Sequence, residues 1–546
     1  MPIQLDTRPK SWTKPSLEEN DPIINQFPFF IRDKVDEKTL KMCSVIRWFI
    51  IKEVIPKEAK YYDHGTTTAE RNCIVQNLKD KAQHEYYIGH MIYGTRSKYA
   101  HDNDDLFIND YNTNTNGNPS SDTAEFNGKQ PYSDSSFAST YAFKKPVFKL
   151  SPLEYGVLLQ IMGVSLLSFQ VIPIVNLQNK DFNSCTSINN MCAVNLIYRH
   201  GTKEQIEKYL CSDNFYNFKF LISEENCNSS DYLNTQFNIK LKKKELVLSG
   251  NKWFIPDVFN NNVQTGVTNN STGFDTNQCK NNVHASNENG VNNTKNCWLL
   301  FGVTENTKDT SIHSKHSIVL LDEEMVHRDN LQIFQLFHDD VLNSSYYHLK
   351  FDKVSIPFDE KMTLLSTRGN GNNLLIEKTN LSKIYNSLLI IGLTQECVNR
   401  AISSSEDKIK ITNKNTKLVK SDYFKNTLAE HKIDLENCKN SCYNALLKYQ
   451  DFGRTNDCKM EVAMCKYMTP LKCCKIIDWC VQVHGGSSYL SCNSKLFQSY
   501  DYVRKFRVDE QPDEFLLSSI GKYEINHANK MFKTLKDLNF TDSFKK

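Results

Sequence analysis

The sequence is short of net charge. Lys and Arg number 66 against 63 Asp and Glu, a formal +3 over 546 residues, so no global field steers the chain to nucleic acid or anionic lipid. Its 17 cysteines contain no Cys-x-x-Cys pair. Cys473 and Cys474 are neighbours and Cys438 and Cys442 fall one helical turn apart, which reads as helix packing with reduced thiols rather than as a metal site. An uninterrupted apolar run is missing too. The stretch from Gly156 to Val175 has the length of a membrane span, but Gln160, Ser165, Ser168, Gln170 and Pro173 would need partners in lipid, so a buried helix is expected. The opening Met1-Pro2-Ile3-Gln4-Leu5-Asp6 lacks both the apolar core of a secretory signal and the Arg/Ser bias of a transit peptide, and cytoplasmic location is the expectation.

What is present is a large, slightly polar globular composition of 63.1 kDa, 39% hydrophobic and 24% charged, with a mean hydropathy of -0.52. That length holds about three to four domains of roughly 150 residues. Two low-complexity insertions account for the polarity. Residues 98–145 are rich in Asn, Ser, Asp and Tyr without apolar period, and 13 of the 40 residues between Asp257 and Asn296 are Asn; neither buries enough surface to fold alone.

Around the insertions the periodicity runs helix, strand, helix. Met42, Val45, Ile46, Phe49, Ile50 and Val54 recur at helical spacing before Pro56, and Thr202 with Gln205 forms a capping-box pattern that starts a helix through Ile206 and Tyr209. From about Phe218 to Pro357 the period is two: Phe237, Ile239 and Leu241 alternate, a Lys242–Glu245 turn follows, and Leu246 and Leu248 alternate again as a hairpin. Further strands are expected at His316–Leu321 and Tyr347–Phe351, and around Trp253 and Trp298. Leu374–Ser403, Tyr423–Tyr449, Cys458–His484 and Pro512–Leu535 read as long helices, enough for a bundle.

Several motifs in this order resemble the acyl-CoA dehydrogenase family, in the branch containing the animal family members ten and eleven. Phe220-Leu221-Ile222-Ser223-Glu224 followed by Ser229-Ser230-Asp231 resembles the family's flavin loop. Leu248-Ser249-Gly250-Asn251-Lys252-Trp253-Phe254 is similar to INGKKWW, Phe351–Pro357 to FxxVRVP, Lys475–Gly486 to KIVDWAIQVCGG, and Arg507–Glu514 to RLADGPDE. The likeness covers roughly residues 35–530 apart from the insertions. It implies an α+β fold: an N-terminal helical domain over 35–216, a middle β-barrel domain over 217–360 and a C-terminal four-helix bundle over 365–540.

The resemblance also implies FAD, an acyl-CoA substrate and removal of hydrogen from its α and β carbons. Glu510 falls on the position of the carboxylate that takes the α proton, a base that needs a dry pocket. Phe220, Ile222, Ser223, Ser229 and Ser230 would hold the flavin, with Trp253 and Phe254 presenting aromatic faces, Phe254 against the ring. Gln482, Gly485 and Gly486 would approach the adenosine half of an FAD, in the family that of a neighbouring subunit, where glycine lets backbone come close. Ser230, Asp231 and Lys383 fall on the substrate side. A homodimer or homotetramer and an electron-transfer flavoprotein as acceptor are implied partners; the family also works in mitochondria and peroxisomes, although Phe544-Lys545-Lys546 is not a peroxisomal tripeptide.

Each motif has a plainer reading. The loop from Phe220 reads equally as a polar turn before a strand, Phe254 as a strand residue, Gly485 as a helix cap, and Glu510 with Pro512, Asp513 and Glu514 as an acidic helix start. There are departures as well. Pro256 stands where the family offers a hydroxyl to the flavin and has no donor. Ile411 and Lys414 stand near the family's Arg and Phe for the neighbouring FAD, Lys383 replaces an Arg and loses its planar fork, and Gln511 replaces the glycine after the base. These departures support an alternative: a catalytically degenerate scaffold that binds acyl-CoA or protein.

Overall fold

The computed structural model describes residues 27–63, 65–86, 88–93, 150–172, 188–210, 212, 215–227, 232–256, 294–304, 315–326, 330–339, 344–407, 417–451, 458–489 and 495–537. The insertion expected at 98–145 lies outside them. So does the one expected at 257–296, except for 294–296, which open a strand instead.

Among the described residues the longer N-terminal helices are α1 (Glu37–Phe49), α2 (Ile55–Tyr61), α3 (Thr68–His84), α4 (Pro152–Met162), α5 (Ile188–His200) and α6 (Lys203–Leu210), with short ones at Phe29–Arg32 and Ile88–Tyr93. Asp36 caps α1 by accepting from the Lys38 amide at 3.1 Å. The helix does not stop ahead of Pro56. A π-turn at Ile50–Val54 carries it into α2, with the Ile55 amide donating to the Ile50 carbonyl, and Pro56 follows where the regular ladder is already interrupted. The capping box at Thr202 forms as read, with Gln205 Oε1 3.0 Å from the Thr202 amide and Thr202 Oγ1 3.2 Å from the Gln205 amide.

The buried apolar stretch is broken rather than continuous: α4 ends at Met162 and only a single turn, Ser168–Val171, follows. The Ser168 hydroxyl captures the Met162 carbonyl oxygen at 2.5 Å, which ends the ladder there. Among the described residues no helix is long and apolar enough to cross a membrane. A further reason for the break is contact with α7 (Gly371–Asp407): a Cβ on Gly163 would stand 2.2 Å from the Leu389 carbonyl oxygen. Two backbones cross there, and only glycine fits.

Among the described residues eight strands form one sheet: β1 (Phe215–Leu221), β2 (Asn238–Leu241), β3 (Glu245–Pro256), β4 (Thr294–Thr304), β5 (His316–Asp322), β6 (Leu331–Asp339), β7 (Ser344–Pro357) and β8 (Leu364–Leu365). The order is β6-β7-β3-β2-β4-β5-β8, with β1 parallel to β4 over Phe215–Leu221. The β2–β3 hairpin has the expected turn, closed by Lys242 N–H to Glu245 carbonyl at 2.8 Å; β6 was not anticipated.

Alternation along β4 divides two cores. Cys297, Leu299 and Phe301 face the helices, whereas Trp298 and Leu300 join Phe237, Leu246, Leu248 and Val354 inside the β layer. On β1, Phe220 points to the helical side and Leu221 to the other. The sheet is thus buried on both faces here.

Among the described residues five long C-terminal helices follow: α7, α8 (Asp422–Asp451), α9 (Lys459–His484), α10 (Leu496–Phe506) and α11 (Asp513–Asp537). Four were legible as long segments, while α10 was not separated from its neighbours. Cys438 and Cys442 are fully buried on α8, as packed helix residues.

Candidate active site

The first turns of α7 place Glu377, Lys378, Ser382 and Lys383 in the layer between sheet and helices, all buried. Glu377 turns towards α5, where Arg199 donates to it and His200 lies 2.9 Å away. Lys378 turns the other way. Its Nζ lies 5.1 Å from the centroid of the Phe220 ring and donates to Glu510 Oε1 at 2.6 Å. Ser382, one turn further on, donates to the same oxygen at 2.6 Å.

Glu510 itself sits in the turn between α10 and α11 with its side chain 9% exposed. Oε1 is held twice, while Oε2 is buried and has no hydrogen-bond partner. A buried carboxylate oxygen left unpaired costs about 1–3 kcal/mol or more, so the arrangement persists only because surrounding contacts impose it. The plainer reading of an acidic helix start holds for a different residue: Asp513 opens α11 and accepts from Arg507 at 2.8 and 2.5 Å. Glu510 points away from that role.

The turn is strained. Glu510 has φ 55° and Gln511 φ 90°, left-handed values at two consecutive residues with side chains, at a cost of about 1–3 kcal/mol each. A turn of this kind suits glycine, yet Gln511 holds it here. Two buried lysines brace it, Lys383 donating to Gln511 Oε1 at 2.5 Å and Lys466 of α9 to the Gln511 carbonyl at 2.6 Å. Burial lowers both ammonium groups to about 8, against the opposing pull of Glu510 on Lys383 and of Asp509 on Lys466. Lys378 goes the other way: desolvation acts against its charge, yet Glu510 and the other nearby groups hold it above the ordinary lysine value.

Gln511→Gly relieves strain but leaves the Lys383 ammonium without this acceptor and adds backbone entropy to the unfolded chain. The expected result is a net loss of about 1 kcal/mol in urea denaturation. A rise in the midpoint would show that strain outweighs the Lys383 bond.

The loop after β1 is tied to β3 at three points. Lys252 Nζ, fully buried, donates to the Ile222 carbonyl and to Glu224 Oε1, both at 2.9 Å. Trp253 N–H donates to the Ser223 carbonyl at 2.8 Å, and Glu225 N–H to Asn251 Oδ1 at 3.2 Å. Desolvation brings Lys252 down to about 8, with Glu224 opposing. Glu224 is desolvated as well, but Lys252, Thr235 and the Gln236 amide together hold its carboxyl below the usual value. Among the described residues the Ser223 hydroxyl has no partner, and Phe220 is buried at 9% exposure.

A bulge between Lys252 and Ile255 turns Phe254 outward at φ 60° and 48% exposure, where its ring meets Tyr346 at 4.7 Å and Phe337 at 5.5 Å. It is not a strand-core residue. Trp253 stands edge-on to His348 at 5.0 Å. At the end of α9, Gln482 is exposed and accepts from the Gly485 amide; Gly485 has φ 62°, and a Cβ on Gly485 or Gly486 would meet nothing within 4 Å. The glycine helix stop is therefore present, on an open surface.

The predicted residues fall into three groups: Glu510, Lys383 and Phe220 around Lys378; Ile222, Ser223, Trp253 and Phe254 around Lys252; and Gln482, Gly485 and Gly486 at the α9 terminus. Ser229, Ser230, Asp231, Ile411 and Lys414 lie outside the described residues. Sequence reasoning missed Lys378, Ser382, Lys252 and Glu224 as working residues. A signal existed for Lys252, since Leu246, Leu248, Gly250 and Lys252 share one face of β3. Lys378 and Ser382 stand at i, i+4 spacing on α7, which puts both on one face of the helix.

Comparison with known proteins bears on this arrangement. Residues 369–522 match the family model described as acyl-CoA dehydrogenase, C-terminal domain. Mouse acyl-CoA dehydrogenase family member 11 is 23% identical over 311 residues, 56% of this chain and 34% of that protein, so the chain spans about a third of the length of this curated relative. Among solved structures, a putative acyl-CoA dehydrogenase from Mycobacterium abscessus superposes with TM-score 0.61 at 18% identity, over 90% of this chain and 99% of the other. A glutaryl-CoA dehydrogenase from Mycobacterium smegmatis, in complex with FADH2, superposes with TM-score 0.57 at 12% identity, over 90% and 96%. Residues 369–522 are thus similar in sequence to the C-terminal domain of acyl-CoA dehydrogenases, and nine-tenths of the chain shares the acyl-CoA dehydrogenase fold.

Proposed function

We propose that this protein is an FAD-dependent acyl-CoA dehydrogenase in which Glu510 removes the α proton of an acyl-CoA thioester. The observation that carries the reading is the carboxylate's asymmetry: Oε1 is fixed by Lys378 and Ser382, and Oε2 is buried with no protein partner among the described residues. A base so oriented has one oxygen free to receive a proton.

The residues present fit FAD. Phe254 offers an exposed aromatic face beside Tyr346, Ser223 an unused hydroxyl, and Gly485 and Gly486 an uncrowded approach. Ile222, Ser223, Trp253 and Phe254 would hold the ring. Gln482, Gly485 and Gly486 would approach the adenosine half, which favours a homodimer or homotetramer. Bound there, the flavin supplies the acceptor for the β hydride, with an electron-transfer flavoprotein as the next acceptor. Ser230, Asp231 and Lys383 remain the proposed substrate-side residues.

The test is an absorbance spectrum of the purified protein before and after addition of acyl-CoA thioesters of several chain lengths. A flavin band that fades on addition is the expected outcome. Protein that shows no flavin absorbance even when refolded with FAD would sink the reading. Pro256 and the short Lys378–Glu510 pair favour the second reading, a scaffold that binds acyl-CoA without oxidising it; flavin that persists unbleached with acyl-CoA bound would establish it.

A further inference from the structure

We propose that Lys378 follows the negative charge from Glu510 to the thioester oxygen during α-proton transfer, acting as the electrophile for the enolate; this rests on the dehydrogenase reading above. The argument is one of charge balance. The Cα–H bond breaks and its proton forms an O–H bond with Oε2. The C–H electron pair moves into the bond between Cα and the carbonyl carbon, and the carbonyl π pair becomes the charge on oxygen. Glu510 is then neutral, and Lys378, at 6% exposure, has lost its counterion.

A buried ammonium without a counterion is strongly disfavoured, so the charge must find it again. The one new anion is the enolate oxygen. A carbon that gives its proton to Oε2 sits roughly 3–3.5 Å from that oxygen. Its carbonyl oxygen, two bonds further, lies within reach of an ammonium that already touches the same carboxyl group at 2.6 Å.

The neighbouring cations do not compete for this task. Lys383 is bound to Gln511 Oε1, and Lys466 to the carbonyls of Gln511 and Arg507. Among the described residues Lys378 alone of the three touches Glu510. The Phe220 ring, 5.1 Å from Nζ, holds the ammonium by cation–π attraction when the ion pair loosens.

Exchange of the α protons of butyryl-CoA with D2O, followed by NMR, tests this step without hydride transfer. Glu510→Gln should abolish exchange. Lys378→Met should slow it on the order of 10²–10³-fold, the effect of removing one oxyanion donor, with butyryl-CoA affinity changed less than about threefold. Lys378→Arg should restore part of the rate. If Lys378→Met does not fold by circular dichroism, Lys378→Gln, which keeps a donor to Glu510 without the charge, should show the same loss. A folded neutral variant that exchanges within about threefold of the unsubstituted protein overturns the inference alone. Unsubstituted protein that neither exchanges nor bleaches overturns the dehydrogenase reading and this inference with it.

Discussion

Glu510→Gln is expected to slow acyl-CoA bleaching of bound flavin by on the order of 10²–10⁴-fold, the usual contribution of a positioned general base. The amide matches the carboxylate in shape and can still accept from Ser382, so the turn at φ 55° and 90° keeps its main packing. What disappears is basicity at the oxygen that has no other partner. Lys378 also loses its counterion, so bleaching must be measured on protein whose circular dichroism and flavin content match the unsubstituted chain. Undiminished bleaching would remove Glu510 from the role. Asp509, exposed beside it and accepting from the Glu510 amide at 3.0 Å, is the next carboxylate to replace.

Lys252→Met is expected to destabilise the protein by about 3–5 kcal/mol, because it leaves Glu224 as a buried charge without its cation. The Lys252 side chain has no exposed surface and Glu224 only 5%. The double change Lys252→Met with Glu224→Gln should recover much of that loss, since replacing both members of a buried pair is often near neutral. Urea denaturation of the two variants checks it. The loop should still bind flavin less well in the double variant, because the tie from Lys252 to the Ile222 carbonyl is gone. A single variant within about 1 kcal/mol of the unsubstituted protein would show that water reaches Glu224 when the lysine is lost.

Much of the architecture was legible because burial on a regular element repeats with that element's period. Leu246 and Leu248 alternate inward on β3, and the α7, α8 and α9 segments carry long helical stretches with recognisable ends. The same rule explains the misses. The helix expected from Gly156 to Val175 stops at Met162 because a hydroxyl takes its terminal carbonyl and another backbone crosses at Gly163, events that periodicity does not register. Gln511 could be read as a missing glycine, but not as a residue held left-handed by Lys383 and Lys466.

By itself, the sequence determined the helix–sheet–helix order, the hairpin at Lys242, the cap at Thr202 and the place of an acidic residue ahead of Pro512. Only the tertiary structure decided what that acidic residue touches. Ser382 and Lys378 lie 128 and 132 residues before Glu510, and their meeting depends on how α7 lies against the α10–α11 turn. Local patterns report which face of an element is buried. The partner of a buried charge is chosen by the packing of two distant elements, because the desolvation cost is met only where an opposite charge arrives within hydrogen-bond distance.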